Sequence, residues 1–159
     1  MRRSLSLLGI VFLVTTTAVS AQSPAPHTGH VMVTPNDLKW MDGPPTLPPG
    51  VKVALFEGNP AAAGPYTLRF QFPANYKVPA HWHPIDEHVT VISGTFYAGM
   101  GNKLSEAESK AFPAGSFVMM PAKTPHFAWT KEETVIQLHG VGPGGITYVD
   151  PADDPRQKK

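Results

Sequence analysis

Prolines and glycines divide this chain into short segments, and this punctuation limits its fold more than any other feature. The 159 residues include 18 prolines and 14 glycines. Because a proline blocks the interior of a helix, long helices are excluded wherever these residues recur. The segments between them are rich in β-branched and aromatic residues, which predicts many short strands arranged as a barrel or sandwich.

The clearest strand is the segment 66–72, where apolar and polar residues alternate. Tyr66, Leu68, Phe70 and Phe72 occupy every second position, the pattern of a strand with one buried face. Further strands are predicted at 51–57, 87–92, 95–100, 117–120, 126–130, 134–139 and 146–149. Helical character is confined to 105–110, about two turns at most. The sequence therefore predicts an all-β domain with little helix.

The N-terminal residues have the pattern of a signal peptide. Arg2 and Arg3 precede an apolar run from Leu5 to Val19, and small residues follow up to Ala21. The run is shorter than the about 20 residues that span a membrane, although an uncleaved anchor is the alternative. We predict a signal peptide at 1–21 and a flexible linker at 22–30. The mature protein is then exported, periplasmic or secreted, with no stable membrane span after cleavage.

The composition excludes several classes of function and stabilisation. Removing Arg2 and Arg3 from the 13 basic residues leaves 11 against 12 acidic residues. This near-neutral balance, without a basic stripe, argues against a nucleic-acid partner. Cysteine is absent, so the chain has neither disulfides nor thiolate ligands, and its core, a metal or a partner subunit must stabilise it.

Two histidines and a glutamate lie close together between prolines. His81 and His83 are two residues apart, so on a strand both side chains leave the same face. Pro79 and Pro84 flank them, which favours a strand end. Glu87 follows after a short bend. Two neutral imidazoles and one carboxylate form a ligand set for Fe(II), Mn(II), Zn(II) or Ni(II).

Strand parity separates Glu87 from its neighbours. On the strand that begins there, Val89 and Val91 share the inward face of Glu87, whereas His88 points outward. His88 is therefore predicted to face solvent or a dimer partner. Asp86 is the rival carboxylate; its parity is also wrong, although a loop at this position would allow it to face the site.

These residues resemble the first motif of the cupins, which runs Gly, five residues, His-x-His, three or four residues, Glu, six residues, Gly. His81, His83, Glu87 and Gly94 match this spacing. Asn75 stands at the opening glycine, and asparagine is the residue that best tolerates the same left-handed backbone.

The second cupin motif is Gly, five residues, Pro-x-Gly, two residues, His, three residues, Asn. Gly115, Pro121 and His126 keep its spacing, whereas Lys123 replaces a glycine and Thr130 an asparagine. The resemblance covers about residues 75–130. It implies a jelly-roll β-barrel over 31–150, followed by a flexible tail at 151–159. It also implies that His126 is a fourth ligand to one divalent transition metal per chain.

The resemblance further implies chemistry on a small molecule. An oxygenase-like enzyme using Fe(II) or Mn(II) is favoured over an isomerase or lyase, since only His139 and Tyr97 are candidates for a second proton-transfer residue. Pattern alone does not decide whether Gln137 and His139 or Ile136 and Leu138 face the barrel. The alternative is a non-catalytic barrel that binds or senses a metal or small ligand. Cupins commonly pair through outer strands, so a homodimer is expected.

Overall fold

The computed structural model describes residues 29–157, and within them eleven strands form two antiparallel sheets. The predicted signal peptide and nearly all of the predicted linker lie outside these residues. The strands are β1 (Met41–Asp42), β2 (Lys52–Glu57), β3 (Gly64–Phe72), β4 (Lys77–Trp82), β5 (Glu87–Ser93), β6 (Thr95–Met100), β7 (Lys110–Pro113), β8 (Phe117–Met120), β9 (His126–Thr130), β10 (Thr134–Gly142) and β11 (Thr147–Tyr148).

The two sheets interleave along the chain. One has six strands in the order β1-β2-β3-β10-β5-β8, and the other has five in the order β11-β4-β9-β6-β7. From β3 to β6 and again from β7 to β11 the chain changes sheet at every connection. The predicted all-β jelly roll is confirmed.

The inward faces of both sheets form one apolar core. The predicted alternation in β3 is confirmed, because Tyr66, Leu68, Phe70 and Phe72 are all buried. Strands β10 and β5 pair beside it and contribute further buried aliphatic residues, while Phe96, Ala98 and Ala128 come from the second sheet. The site described below lies at one end of this core.

The structure adds strands and removes a helix. Strands β1 and β7 were not predicted, and the segment 105–110 forms turns that lead into β7, so the helical prediction there is wrong. One cause is the pairing of β7 with β6, which places Lys110 opposite Ala98 and makes the end of the segment part of a strand.

Helix in the described residues is limited to three single-turn 3₁₀ segments, Pro35–Asp37, Pro151–Asp153 and Pro155–Gln157. The last two lie in the predicted flexible tail, where Arg156 forms a bidentate ion pair with Asp154. Among residues 29–157, no helix is long and apolar enough to cross a membrane.

Candidate metal centre

Three histidines converge where β4 ends and β9 begins. His81 and His126 are directly opposite each other in the β4–β9 pairing, and His83 follows β4 by one residue. His81 and His126 are only 4% and 2% exposed. Side chains two residues apart on an extended chain share a face, so His83 joins the pair on the inner side.

The three imidazoles are close enough to share one ion. Their ring centroids are 4.4–5.1 Å apart. One ligand nitrogen from each of His81, His83 and His126 lies within 4.8 Å of the others. Zinc–nitrogen bonds of about 2.0–2.1 Å place nitrogens on one ion at separations below this limit.

Backbone carbonyls fix the tautomer of all three rings. The Nδ1–H of His81 donates to the Pro79 carbonyl (2.6 Å), that of His83 to Gly145 (2.6 Å) and that of His126 to Thr124 (2.9 Å). A carbonyl only accepts, so Nδ1 carries the proton and Nε2 keeps its lone pair. This is the outer-shell arrangement that orients histidine ligands in metal sites.

Two of these Nε2 atoms have no other role in the fold. The Nε2 atoms of His83 and His126 are buried and have no hydrogen-bond partner among the described residues. Buried polar atoms are normally satisfied, so an orphaned pair pointing at a common position requires an explanation. A metal ion satisfies both, and the residues therefore fit such a group.

Burial favours the neutral form of His81 and His126, as metal ligation requires. Desolvation lowers the pKa of His81 well below its usual value, and the neighbouring His126 and His83 lower it further. Desolvation also lowers the pKa of His126, although its bond to the Thr124 carbonyl and the charge of Glu87 oppose this shift.

Glu87 lies beside the histidine cluster rather than within it. Its Oε1 is 3.4 Å from the His83 Nε2, and it lines the same cavity as the three histidines. Val89 and Val91 are buried on its face of β5, so the predicted parity is confirmed. Asp86 points away, and its carboxylate accepts a hydrogen bond from the Ala122 backbone N–H (2.8 Å).

The two residues that stand where the cupin motifs have glycine adopt a backbone conformation that glycine favours. Asn75 and Lys123 both have φ = 59°, the left-handed conformation that glycine adopts readily. The backbone N–H of Lys123 donates to the His83 carbonyl (2.7 Å). The turn that carries Lys123 therefore holds the loop of His83 in place despite the substitution.

Thr130, which stands where the motif has asparagine, has a structural role. It is 1% exposed, and its hydroxyl donates to the Pro73 carbonyl (2.7 Å) and accepts from the Tyr76 N–H (3.3 Å). Thr130 thus attaches the loop that contains Asn75 to β9.

A cavity of about 460 Å³ extends from the cluster into the barrel. This volume is within the ~300–1,000 Å³ typical of small-molecule sites. Its walls are mainly apolar, and the loops 43–50, 58–63 and 143–146 contribute to its lining. Representative wall residues are Val53, Leu68, Phe70, Ile136, Leu138 and Ile146.

Tyr66 adds a polar group that the sequence interpretation assigned only to the core. It lines the cavity, and burial followed by the charge of Glu87 raises its pKa to about 12. Its inward parity was evident from the β3 pattern. Its position near Glu87 was not, because that depends on the pairing of β3 with β10.

The two predicted catalytic residues are not brought to the cluster. Ile136 and Leu138 face inward on β10, so His139 faces outward, is exposed and stacks on His88. Tyr97 is on the outward face of β6, since Phe96 and Ala98 are the buried positions. Strand parity is the physical reason in both cases.

Tyr97 is also occupied by other contacts. Its ring stacks on Trp129 at 4.1 Å, and the indole N–H of Trp129 donates to the Ser109 hydroxyl. The geometry gives Tyr97 a packing role on the outer surface of the second sheet.

Residues 28–144 match the family described as the ChrR cupin-like domain. This match covers most of the chain and includes every candidate ligand. The chain belongs to the cupin superfamily, in the ChrR cupin-like family. No curated protein matches this cupin.

Solved structures confirm the cupin fold. A putative acetylacetone dioxygenase from Methylibium petroleiphilum has a TM-score of 0.62 at 19% identity, covering 82% of this chain and 88% of its own. The polyketide cyclase RemF from Streptomyces resistomycificus has 0.62 at 15% identity, covering 78% and 88%. An RmlC-like cupin from Ralstonia eutropha has 0.59 at 24% identity, covering 80% and 76%.

Proposed function

We propose that this cupin is a metal-dependent enzyme of oxygenase type that acts on a small molecule. One divalent transition metal is held by His81, His83 and His126, with Glu87 as the fourth ligand. The observation that carries the proposal is the set of three carbonyl-anchored imidazoles whose Nε2 atoms converge at the end of an apolar cavity.

Each part of the site has a distinct task in this proposal. The metal, when bound, supplies Lewis acidity and, if it is iron or manganese, redox chemistry toward dioxygen. The imidazoles of His81, His83 and His126 hold it, and the carboxylate of Glu87 offsets part of its charge. The apolar walls exclude water from the ligand and strengthen the electrostatic interactions inside the cavity.

One structural neighbour supports this class of reaction by its name, a putative acetylacetone dioxygenase. Another is named as a polyketide cyclase, so the neighbours include enzymes of more than one reaction class. The cavity here is open to a small ligand rather than filled by core side chains.

Oxygen uptake by the loaded protein tests the proposal. The protein is reconstituted with Fe(II) or Mn(II) without air, and dioxygen consumption is then followed with a panel of small diketones. We expect uptake in the wild type and none in a His81→Ala/His83→Ala variant. A wild-type protein that purifies without metal and binds no Fe(II) or Mn(II) on reconstitution would contradict the proposal.

A non-catalytic binding barrel is the second candidate, and one observation favours it. Beyond Glu87 and the three histidines, only Asp42, Thr46 and Tyr66 contribute polar side chains to the cavity lining within residues 29–157. This leaves few groups for proton transfer. Stoichiometric metal and diketone binding without turnover would support this candidate over the enzyme.

We also propose export and homodimer formation, as predicted from the sequence. N-terminal sequencing of the protein from cell fractions should find a mature chain that begins near Gln22, outside the cytoplasm. Light scattering after gel filtration should give twice the mass of the mature chain. A cytoplasmic full-length chain or a monomer would contradict the respective prediction.

A further inference from the structure

Three buried tyrosines show which hydroxyl is free for a ligand. Tyr76 donates to the Pro48 carbonyl, and Tyr148 donates to the Thr46 carbonyl (2.9 Å). Both bonds attach the proline-rich loop 43–50 to the barrel. The Tyr66 hydroxyl has no hydrogen-bond partner among the described residues, although its ring is as buried as the other two. It lines the cavity instead.

Two glycines make room for the Tyr66 hydroxyl. Gly140 is the partner of Tyr66 in the β3–β10 pairing, and Gly144 follows in the next loop. A Cβ at either glycine would lie 3.1 Å from the hydroxyl oxygen, closer than side-chain atoms normally approach. The position of the hydroxyl therefore depends on the absence of side chains at both glycines.

The rest of the cavity sets the character of its ligand. Its walls are aliphatic and aromatic, and no lysine or arginine lines it within residues 29–157. A ligand with several carboxylates or a phosphate finds no cation there except the metal. A sugar would bury many hydroxyls without partners, which is costly. A ligand with an apolar body and a small oxygen-bearing end needs no cation besides the metal and buries few polar groups.

We infer that the cavity binds a small, mainly apolar molecule whose oxygen-bearing head lies between the metal site and the Tyr66 hydroxyl, which donates a hydrogen bond to it. Tyr66 is thus a positioning residue for a carbonyl or enol oxygen. The inference rests on the proposed function, because it places that head at the metal. It adds the ligand class and the residue that orients the ligand.

Neutral Tyr66 suits this task at ordinary pH. The negative charge of nearby Glu87 and the buried setting both favour the protonated phenol. A protonated phenol donates, so it pairs with an oxygen acceptor and rejects a head that offers only N–H groups.

Zinc-loaded protein and two probes test the inference without turnover, since zinc has no redox chemistry. Benzoylacetone carries two carbonyl groups in a 1,3 arrangement and malonate two carboxylates at the same spacing, but only benzoylacetone has an apolar body. Isothermal titration calorimetry should show that the wild type binds benzoylacetone at least about tenfold more tightly, as burial of a phenyl ring implies. Equal or tighter binding of malonate would overturn the ligand class.

Tyr66→Phe removes only the free hydroxyl. It should weaken benzoylacetone binding about 3- to 10-fold, the value of one hydrogen bond, while the zinc content and melting temperature stay unchanged. Tyr97→Phe is the matched control, because Tyr97 lies on the outward face of β6 and does not line the cavity. It should leave the zinc content, the melting temperature and benzoylacetone binding unchanged.

The outcomes separate the inference from the proposed function. If Tyr66→Phe retains zinc and binds benzoylacetone as tightly as the wild type, the role of Tyr66 is overturned while the metal site stands. If the wild type holds no zinc by elemental analysis, the metal site fails and the inference fails with it.

Discussion

Two groups of histidines lie on opposite faces of the sheets and differ in how their rings are anchored, although His88 of the outer group also has a buried Nδ1 without a hydrogen-bond partner among the described residues. The inner cluster of His81, His83 and His126 is carbonyl-anchored and faces the cavity. The outer pair of His88 and His139 lies directly across the β5–β10 pairing. Its rings stack in parallel, 5.1 Å apart with an interplanar angle of 3°.

The difference shows that orientation rather than the number of imidazoles makes a candidate ligand set. None of the Nδ1–carbonyl bonds of the inner cluster has a counterpart in the outer pair within residues 29–157, and His139 is exposed. His88 directly follows Glu87, yet the alternation of the strand places their side chains on opposite faces. Two adjacent residues of β5 therefore face different surroundings: Glu87 faces the cavity and His88 faces the outer surface.

The largest expected contrast between the two groups is in metal content. We expect His81→Ala/His83→Ala to lower the metal content of the purified protein at least about tenfold, because two of the ligands are lost. His88→Ala/His139→Ala is the matched outer control and should keep about one metal per chain. Inductively coupled plasma mass spectrometry measures both. An equal loss of metal in the two variants would contradict the assignment of the metal to the inner cluster.

The second contrast is in the stability that the metal confers. When the free metal concentration is 100 to 1,000 times the Kd, metal binding should add about 3–4 kcal/mol to the free energy of unfolding. Urea titrations with and without a chelator should show this difference in the wild type and in the outer variant. The inner variant should show none. A chelator effect of full size in the inner variant would mean that the metal binds elsewhere.

The third contrast is in the acid sensitivity of the metal-free protein. The pKa values of His81 and His126 are lowered from the usual 6.5 in the folded state. As the pH falls below 6.5 the unfolded chain takes up protons that the folded chain does not. The contribution of the two neutral histidines to the free energy of unfolding is therefore complete above pH 6.5. It is lost as the pH falls below that value, by up to about 1.4 kcal/mol per pH unit for each histidine.

Urea titrations of chelated protein between pH 7.5 and 5 measure this slope. A His126→Gln variant should have a smaller slope, since one buried imidazole is removed. An unchanged slope in that variant would show that the acid sensitivity arises from other groups.

The smallest effect is expected at the outer pair itself. His139→Ala should change the free energy of unfolding by no more than about 0.5 kcal/mol, because the side chain is exposed and its stacking partner remains. Thermal unfolding checks this value. A loss above about 2 kcal/mol would indicate that this surface is covered by a partner in solution.

Local pattern predicted much of the fold and of the candidate ligand positions. The strand 66–72 and the inward parity of Glu87 followed from alternation, and the spacing of His81, His83 and Glu87 from the cupin motif. The place of His126 required the resemblance, because 43 residues separate it from His83 and only the β4–β9 pairing brings them together.

Other features depend on pairings that no short segment encodes. The orientation of His139 was ambiguous because β10 alternates apolar residues with Gln137 and His139, so either face is plausible by pattern alone. The pairing of β10 with β3 and β5 resolves it. The same pairing places Tyr66 opposite Gly140, which explains why its free hydroxyl was missed.

X-ray absorption spectroscopy of the metal-loaded wild type tests the central claim most directly. The claim predicts three imidazole nitrogens at about 2.0–2.2 Å with the outer-shell scattering of their rings, and at least one oxygen at a similar distance. A first shell of oxygens alone, without imidazole scattering, would contradict a metal centre built on His81, His83 and His126.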